Sequence, residues 1–579
     1  MTNRYDLIIR GGTIVDGSGN RSYSGDIAIV GDRIVEIGRI SSQGSEEIDA
    51  AGLLVTPGFV DLHTHYDGQV IWDERTEPSA SHGVTTAVMG NCGVGFAPCR
   101  PEDRESLIRL MEGVEDIPGA VMAEGLTWDW ETFPEYLNKV ESRARDIDMA
   151  ALLPHSCLRV YVMGERGINR EMATPADLDS LRNITRDAMT AGALGVGTSR
   201  ILFHQSSEGK AIFSRDAEEA ELQAIADGMR QANSGIFQAV VELRSLELFE
   251  SELNLFERIG ARSGRPVLLS LAQLLDGSDT WRWGLEQMKS CNQKGVRMSG
   301  QVLGRPVGII LGLDTSSNPF SLYPSYRKLH ELPLKEKVAA LRRPEMRAQI
   351  LSEEPAAERG DQALLMAFLS NFDYMFPLGD PPHYEPDMES SIGAQARRLR
   401  ITPQELSYNI LVDSAGAESL YLAFGNYGDG NLNSVLEMMK SEHTVLGLGD
   451  GGAHSGLICD GGYPTFMLSY WTRDRVKGER VAVEKVVRWL SHDTSKIMGL
   501  NDRGLIARGY KADLNLVDYD NLRLYRPHVT FDLPGGGRRL SQAADGYVAT
   551  IVSGKPIHRD GKPTGALPGR LVRGVQNCP

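Results

Sequence analysis

Two histidines one residue apart close an apolar run, Thr56-Pro-Gly-Phe-Val-Asp-Leu-His63-Thr-His65. On an extended strand, side chains i and i+2 point to the same face, so both imidazoles project together with the spacing that one cation needs. Imidazole is a good ligand for zinc and related divalent ions. The plain alternative is a surface pair in a turn. Cys92 stands at the end of another β-rich stretch, between Asn91 and Gly93. A thiolate beside a divalent cation is a strong ligand, and the cation lowers its pKa. More often a cysteine is simply a small buried apolar residue. Far along the chain, Val445-Leu-Gly-Leu-Gly-Asp450-Gly-Gly-Ala-His454 ends an apolar run in an acid within a glycine-rich turn. Asp-Gly is also a common turn pair without chemistry.

These residues need a frame that brings them together. The middle of the chain alternates strand-like runs with helical patterns. The candidate strands are Leu54 to Asp61, Thr85 to Asn91, Met149 to Pro154, Ala193 to Thr198, Ile236 to Glu242, Val267 to Leu271, Val296 to Gln301 and Thr444 to Gly449. Helical stretches such as Pro175 to Ala191 and Asp216 to Ala232 separate them. Such alternation predicts a parallel sheet, and eight strands predict an α/β fold, a (β/α)8 TIM barrel. Residues 1–55 and 501–579 read instead as short strands with glycine turns, which predicts one small β-sandwich domain built from both chain ends. The barrel then occupies 56–500, with an insertion at about 312–404 that breaks the rhythm after the seventh strand. Long loops at that face often cover an active site, and an edge decoration or oligomer contact is the other reading.

The block Pro57-Gly-Phe-Val-Asp-Leu-His-Thr-His65 resembles the first-strand motif of the amidohydrolase superfamily. His82-Gly-Val-Thr-Thr-Ala-Val-Met-Gly-Asn-Cys92-Gly resembles the second-strand signature of its D-aminoacylase (N-acyl-D-amino-acid deacylase) branch. Gly504-Leu-Ile-Ala-Arg-Gly-Tyr-Lys-Ala-Asp513-Leu resembles the superfamily's return into its β-sandwich. The resemblance implies an active site at the C-terminal mouth of the barrel. It implies Cys92 as a ligand that binds or bridges zinc. It also implies Asp450 as the eighth-strand aspartate that contacts the metal, takes a proton from the metal's water and protonates the leaving group. The implied activity is hydrolysis of the amide bond of a small N-acylated molecule, an N-acyl-D-amino acid.

The sequence also departs from that pattern. The fifth strand, Ile236-Phe-Gln238-Ala-Val-Val-Glu242, and the sixth, Val267-Leu-Leu-Ser-Leu-Ala-Gln273, carry no histidine, and the fourth carries no lysine. The expected centre is therefore one Zn2+ on His63, His65 and Asp450 with Cys92 nearby, a second ion being less favoured. Glu242, His155 and His204 are candidates to fill the gap, and Gln273 and Gln301 to hold a water or a substrate amide. Arg159, Tyr161, His155 and His454 are candidate substrate contacts, with Arg200 after them. An arginine fork suits a carboxylate, though a salt bridge at the barrel rim would use it as well. Rival readings are a hydrolase of another amide, an ester or a lactone, and a non-catalytic protein on the same fold.

Bulk properties narrow the classes. The chain has 579 residues, 41% hydrophobic and 24% charged, as soluble globular proteins do. A net charge of −16 and the lack of a Lys/Arg-rich run argue against nucleic acid. Six cysteines without a C-x-x-C pair suit a reducing cytoplasm. The apolar run Leu7 to Ile9 is too short for a signal peptide, and no run approaches the ~18 residues of a membrane span. Self-association is left open.

Overall fold

The computed structural model describes residues 5–356 and 362–579. The first four residues, and 357–361 within the expected insertion, lie outside that description.

Eight parallel strands form the central sheet in chain order: Phe59–Asp61, Val84–Met89, Asp148–Pro154, Gly195–Ser199, Ile236–Val240, Val267–Ser270, Met298–Val302 and Thr444–Leu446. They are called here the first to eighth barrel strands. Alternate residues serve two cores. Ile236 and Leu268 join Val60, Val88, Ala150, Leu152 and Val445 inside the barrel. Phe237 and Leu269 face outward into the helix-packed layer with Met149 and Leu153. Burial on both faces is why these strands read as nearly unbroken apolar runs. The first and eighth strands meet through the loops just beyond them. The Asp450 N–H donates to the His63 carbonyl at 3.0 Å, and the His65 N–H to the Gly451 carbonyl at 2.8 Å.

The run expected as one strand, Leu54 to Asp61, is two. Leu54–Pro57 belongs to the small domain and pairs antiparallel with Leu514–Val517, while Phe59–Asp61 opens the barrel. Gly58 sits at the break, where an added Cβ would lie 2.1 Å from Thr85 Oγ1, so the chain crosses there only without a side chain. The small domain carries a nine-stranded sheet. Its strands Tyr5–Ile14, Tyr23–Val30 and Arg33–Gly38 share one path with Leu514–Val517, Tyr547–Val552 and Lys555–Arg559.

The floor of the barrel is bolted to this domain by charge. Asp148, at the start of the third strand, is fully buried and accepts from Arg503 Nη1 at 2.7 Å and from Lys511 Nζ. Burial pushes its carboxyl up, but the two cations outweigh burial and hold it below the usual carboxylate range.

The insertion is larger than its expected bounds. It starts with Val307–Leu311 and returns through Leu420–Gly425, which pair in an antiparallel sheet with Met375–Pro377. Phe320, Tyr326, Leu341 and Leu411 give it an apolar core of its own. Among the described residues no helix is long and apolar enough to cross a membrane.

Candidate metal centre

His63 and His65 leave the end of the first barrel strand and are both 1% exposed. Cys92 leaves the second strand in a short turn with φ 54°, between glycines that have no room for a side chain. A Cβ on Gly90 would lie 2.2 Å from the Leu152 carbonyl. This packing fixes where the thiol points. His63 Nε2 lies 3.2 Å from Cys92 Sγ. Ligand atoms of His63, His65 and Cys92 all fall within 4.8 Å of one another. Asp450, with φ 48° in its glycine-rich turn, places Oδ1 3.6 Å from Nε2 of both histidines. Two nitrogens and a sulfur therefore cluster, with the Asp450 oxygen beside both rings.

The far side of each ring is also engaged. Gln301, on the seventh strand, places Oε1 3.1 Å from His63 Nδ1. A proton on Nδ1 donated to that oxygen leaves the Nε2 lone pair facing the cluster. Glu115, the last residue of the helix Arg104–Glu115, places Oε1 3.3 Å from His65 Nδ1 and Oε2 3.2 Å from His454 Nε2. The rings of His65 and His454 lie 6.4 Å apart. Asp61 turns back to accept the His63 backbone N–H at 3.1 Å, and Asp67 accepts that of Gly90 at 3.2 Å.

Electrostatics single out this cluster. Burial lowers the His63 imidazole to about 4 and those of His204 and His454 to about 3. His65 is lowered well below its ordinary value for the same reason. The imidazoles are thus neutral, the form that binds a cation. Burial raises the Cys92 thiol and the Glu115 and Asp450 carboxyls well above their ordinary values; Asp450 and Asp67 add to this for the thiol and Glu115, and Asp460 and Asp61 for Asp450. Acidic groups packed with neutral rings form a site that lacks only a positive charge. Both ring nitrogens of His65 are buried with no hydrogen-bond partner. A buried polar atom left open is costly unless something fills it. The donor set of two imidazoles, a thiolate and a carboxylate fits zinc.

The other expected residues divide. His454 reaches the cluster. His204 is half-buried with Nδ1 unpartnered, and it feels the charges of His454 and His63. His155 and Arg159, expected at the substrate, are not brought there. His155 bonds Thr198 Oγ1 at 2.8 Å and Glu221 Oε1 at 2.9 Å, and Arg159 pairs with the same Glu221, all of them buried. A fully buried arginine must find a carboxylate, and the helix Glu219–Gln231 supplies it. Tyr161 points to Glu131 at 3.2 Å, Arg200 pairs with Glu252 at 2.7 Å, and Glu242 with Arg244 at 2.8 Å. Gln273 is taken up by Gly428, Ser434 and Asp429. Gln301 meets His63 through Oε1, and its Nε2 is buried without a partner. Glu115 carries no sequence signal: it is one acid on an amphipathic helix.

Comparison with known proteins supports the fold and gives the family. The Amidohydrolase family matches residues 46–558. D-aminoacylase of Alcaligenes xylosoxydans xylosoxydans is 33% identical over 34% of this chain and 37% of its own, so the match spans little more than a third of that relative's length. A D-aminoacylase structure addressing a binuclear metal centre superposes with a TM-score of 0.65 at 21% identity, covering 98% of this chain and all of that one. N-acyl-D-glutamate deacylase from Bordetella bronchiseptica, complexed with zinc and a phosphonate inhibitor, superposes at 0.63 with 20% identity, covering 99% of this chain and 100% of that one. The chain belongs to the amidohydrolase family, and its likenesses fall in the D-aminoacylase branch.

Proposed function

We propose that this protein hydrolyses the amide bond of N-acyl-D-amino acids, releasing a carboxylic acid and a free D-amino acid. The observation that carries the proposal is the buried cluster of His63, His65 and Cys92 with the Asp450 carboxyl 3.6 Å from both imidazoles. A zinc ion on those residues would polarise the substrate carbonyl and acidify water toward a pKa of ~7. Asp450 acts as base and then acid: its carboxylate takes the proton of the attacking water and returns it to the departing nitrogen as the C–N bond breaks. Gln301 keeps His63 in one tautomer throughout. Ile117, Ile458, Leu533 and Leu540 line a narrow recess at Asp450 together with the polar Gln69, Asp460 and Arg539. The choice of substrate rests on likeness to D-aminoacylase. Six unpaired cysteines suit a cytoplasmic setting.

The test is elemental analysis of the purified protein, followed by turnover of a panel of N-acetyl-D- and N-acetyl-L-amino acids. About one equivalent of zinc and D-selective turnover are expected. Asp450→Asn should keep the fold and lose ~10²–10⁴-fold in kcat. L-selectivity, or no turnover of any member, rejects the deacylase assignment; a metal-free preparation with full activity rejects the whole scheme.

A further inference from the structure

We propose that Glu115 is a positioning residue that aims His65 at the cation, an inference that rests on the metal centre argued above. The end of its helix is pinned to the loop that carries Asp450. The Glu115 carbonyl accepts the His454 N–H. Asp116 follows with φ 52°, and its carboxylate accepts the Gly456 N–H at 2.9 Å and Ser316 Oγ at 2.7 Å. The Glu115 side chain, 1% exposed, is thereby fixed between two rings, with Oε1 3.3 Å from His65 Nδ1 and Oε2 3.2 Å from His454 Nε2. Both are ion-pair distances rather than formed hydrogen bonds: His65 Nδ1 and Glu115 Oε2 are each buried without a hydrogen-bond partner, which leaves acceptor and ring nitrogen facing one another. A small turn of the His65 ring brings its Nδ1 proton onto that oxygen, which leaves the lone pair on Nε2, the atom that faces Asp450 Oδ1. Gln301 does the same for His63 with a neutral amide. The two ligand rings are thus backed by acceptors of different kind, an amide behind His63 and a carboxyl behind His65. The second oxygen ties His454, and with it the Asp450 turn, to the same anchor.

Zn2+ affinity, measured on the full chain by competition with a chromogenic chelator, tests this. Glu115→Met keeps the volume but removes the acceptor, and it should weaken Zn2+ binding by ~10–100-fold. Glu115→Gln keeps an acceptor oxygen and should recover affinity to within about tenfold of wild type. The metal-free melting temperature should not fall in Glu115→Met, because an apolar side chain replaces a buried acid. Glu115→Met binding Zn2+ within about twofold of wild type overturns the role, as does a Glu115→Gln variant no better than Glu115→Met. Wild-type protein that takes up no Zn2+ overturns instead the metal centre beneath it.

Discussion

Replacing Asp148 by Asn should loosen the joint between the barrel and the small domain without touching the metal centre. The carboxylate is fully buried and is approached by Arg503 and Lys511, both from the segment that returns to the small domain. Removing one partner of a buried ion pair costs about 3–5 kcal/mol, because the remaining charge is left without its counterion. Here the cost falls at the lower end. Arg503 keeps Asp502 at 2.9 Å and Lys511 keeps Asp513 at 3.2 Å, while Asn still offers Oδ1 to the Arg570 N–H, 3.0 Å away in wild type. A loss of about 3 kcal/mol is a large share of the 5–15 kcal/mol that usually holds a protein together. The assay is urea unfolding followed by tryptophan fluorescence, comparing midpoints at equal slope. The pH dependence has a definite sign. The folded-state carboxyl is lowered, so its contribution is complete above the ordinary carboxylate pKa of about 4 and is lost as pH falls below it. Wild type and Asp148→Asn should therefore differ most at neutral pH and converge in acid. A difference under about 1 kcal/mol at pH 7, or one that does not shrink in acid, refutes the reasoning.

Other outcomes follow from the same contacts. Gln301→Leu removes the acceptor behind His63 and should weaken Zn2+ binding by ~10–100-fold in a chelator competition, with the fold intact by circular dichroism. Zn2+ binding at pH 7 should release protons, detectable with an indicator dye, because the Cys92 thiol is held protonated by burial until a cation arrives. Cys92→Ser should release fewer protons per ion and bind more weakly. Gly90→Ala forces a Cβ to 2.2 Å from the Leu152 carbonyl at φ 84°, so it should cost more than about 1 kcal/mol in the same urea assay and lower Zn2+ affinity by moving Cys92.

Much of the frame was legible because its strands are covered on both faces. A run such as Val267 to Leu271 can be little else than a buried strand, and eight such runs imply a closed barrel. The break at Pro57-Gly58 was not legible, since the apolar run continues through it and only the clash with Thr85 marks it. The candidate ligands lie at strand ends, where His-x-His and Asp-Gly-Gly turns stand out. The residues behind them did not. Gln301 looked like a substrate contact and Glu115 like any helix acid, because what each faces is set by packing between distant segments. Arg159 misled for the same reason: its partner Glu221 sits on another helix, and local sequence gives no sign that the pair is buried.

The bonds from the Asp450 N–H to His63 and from the His65 N–H to Gly451 make the rim that carries the candidate metal centre also the seam of the cylinder. A cation shared by residues on both lips would act as a stitch, so chelation should let amides near 59–65 and 444–451 exchange with deuterium faster while strands on the opposite wall keep their protection. Loss of the ion would then be felt as a slackening of the barrel itself before any helix unfolds.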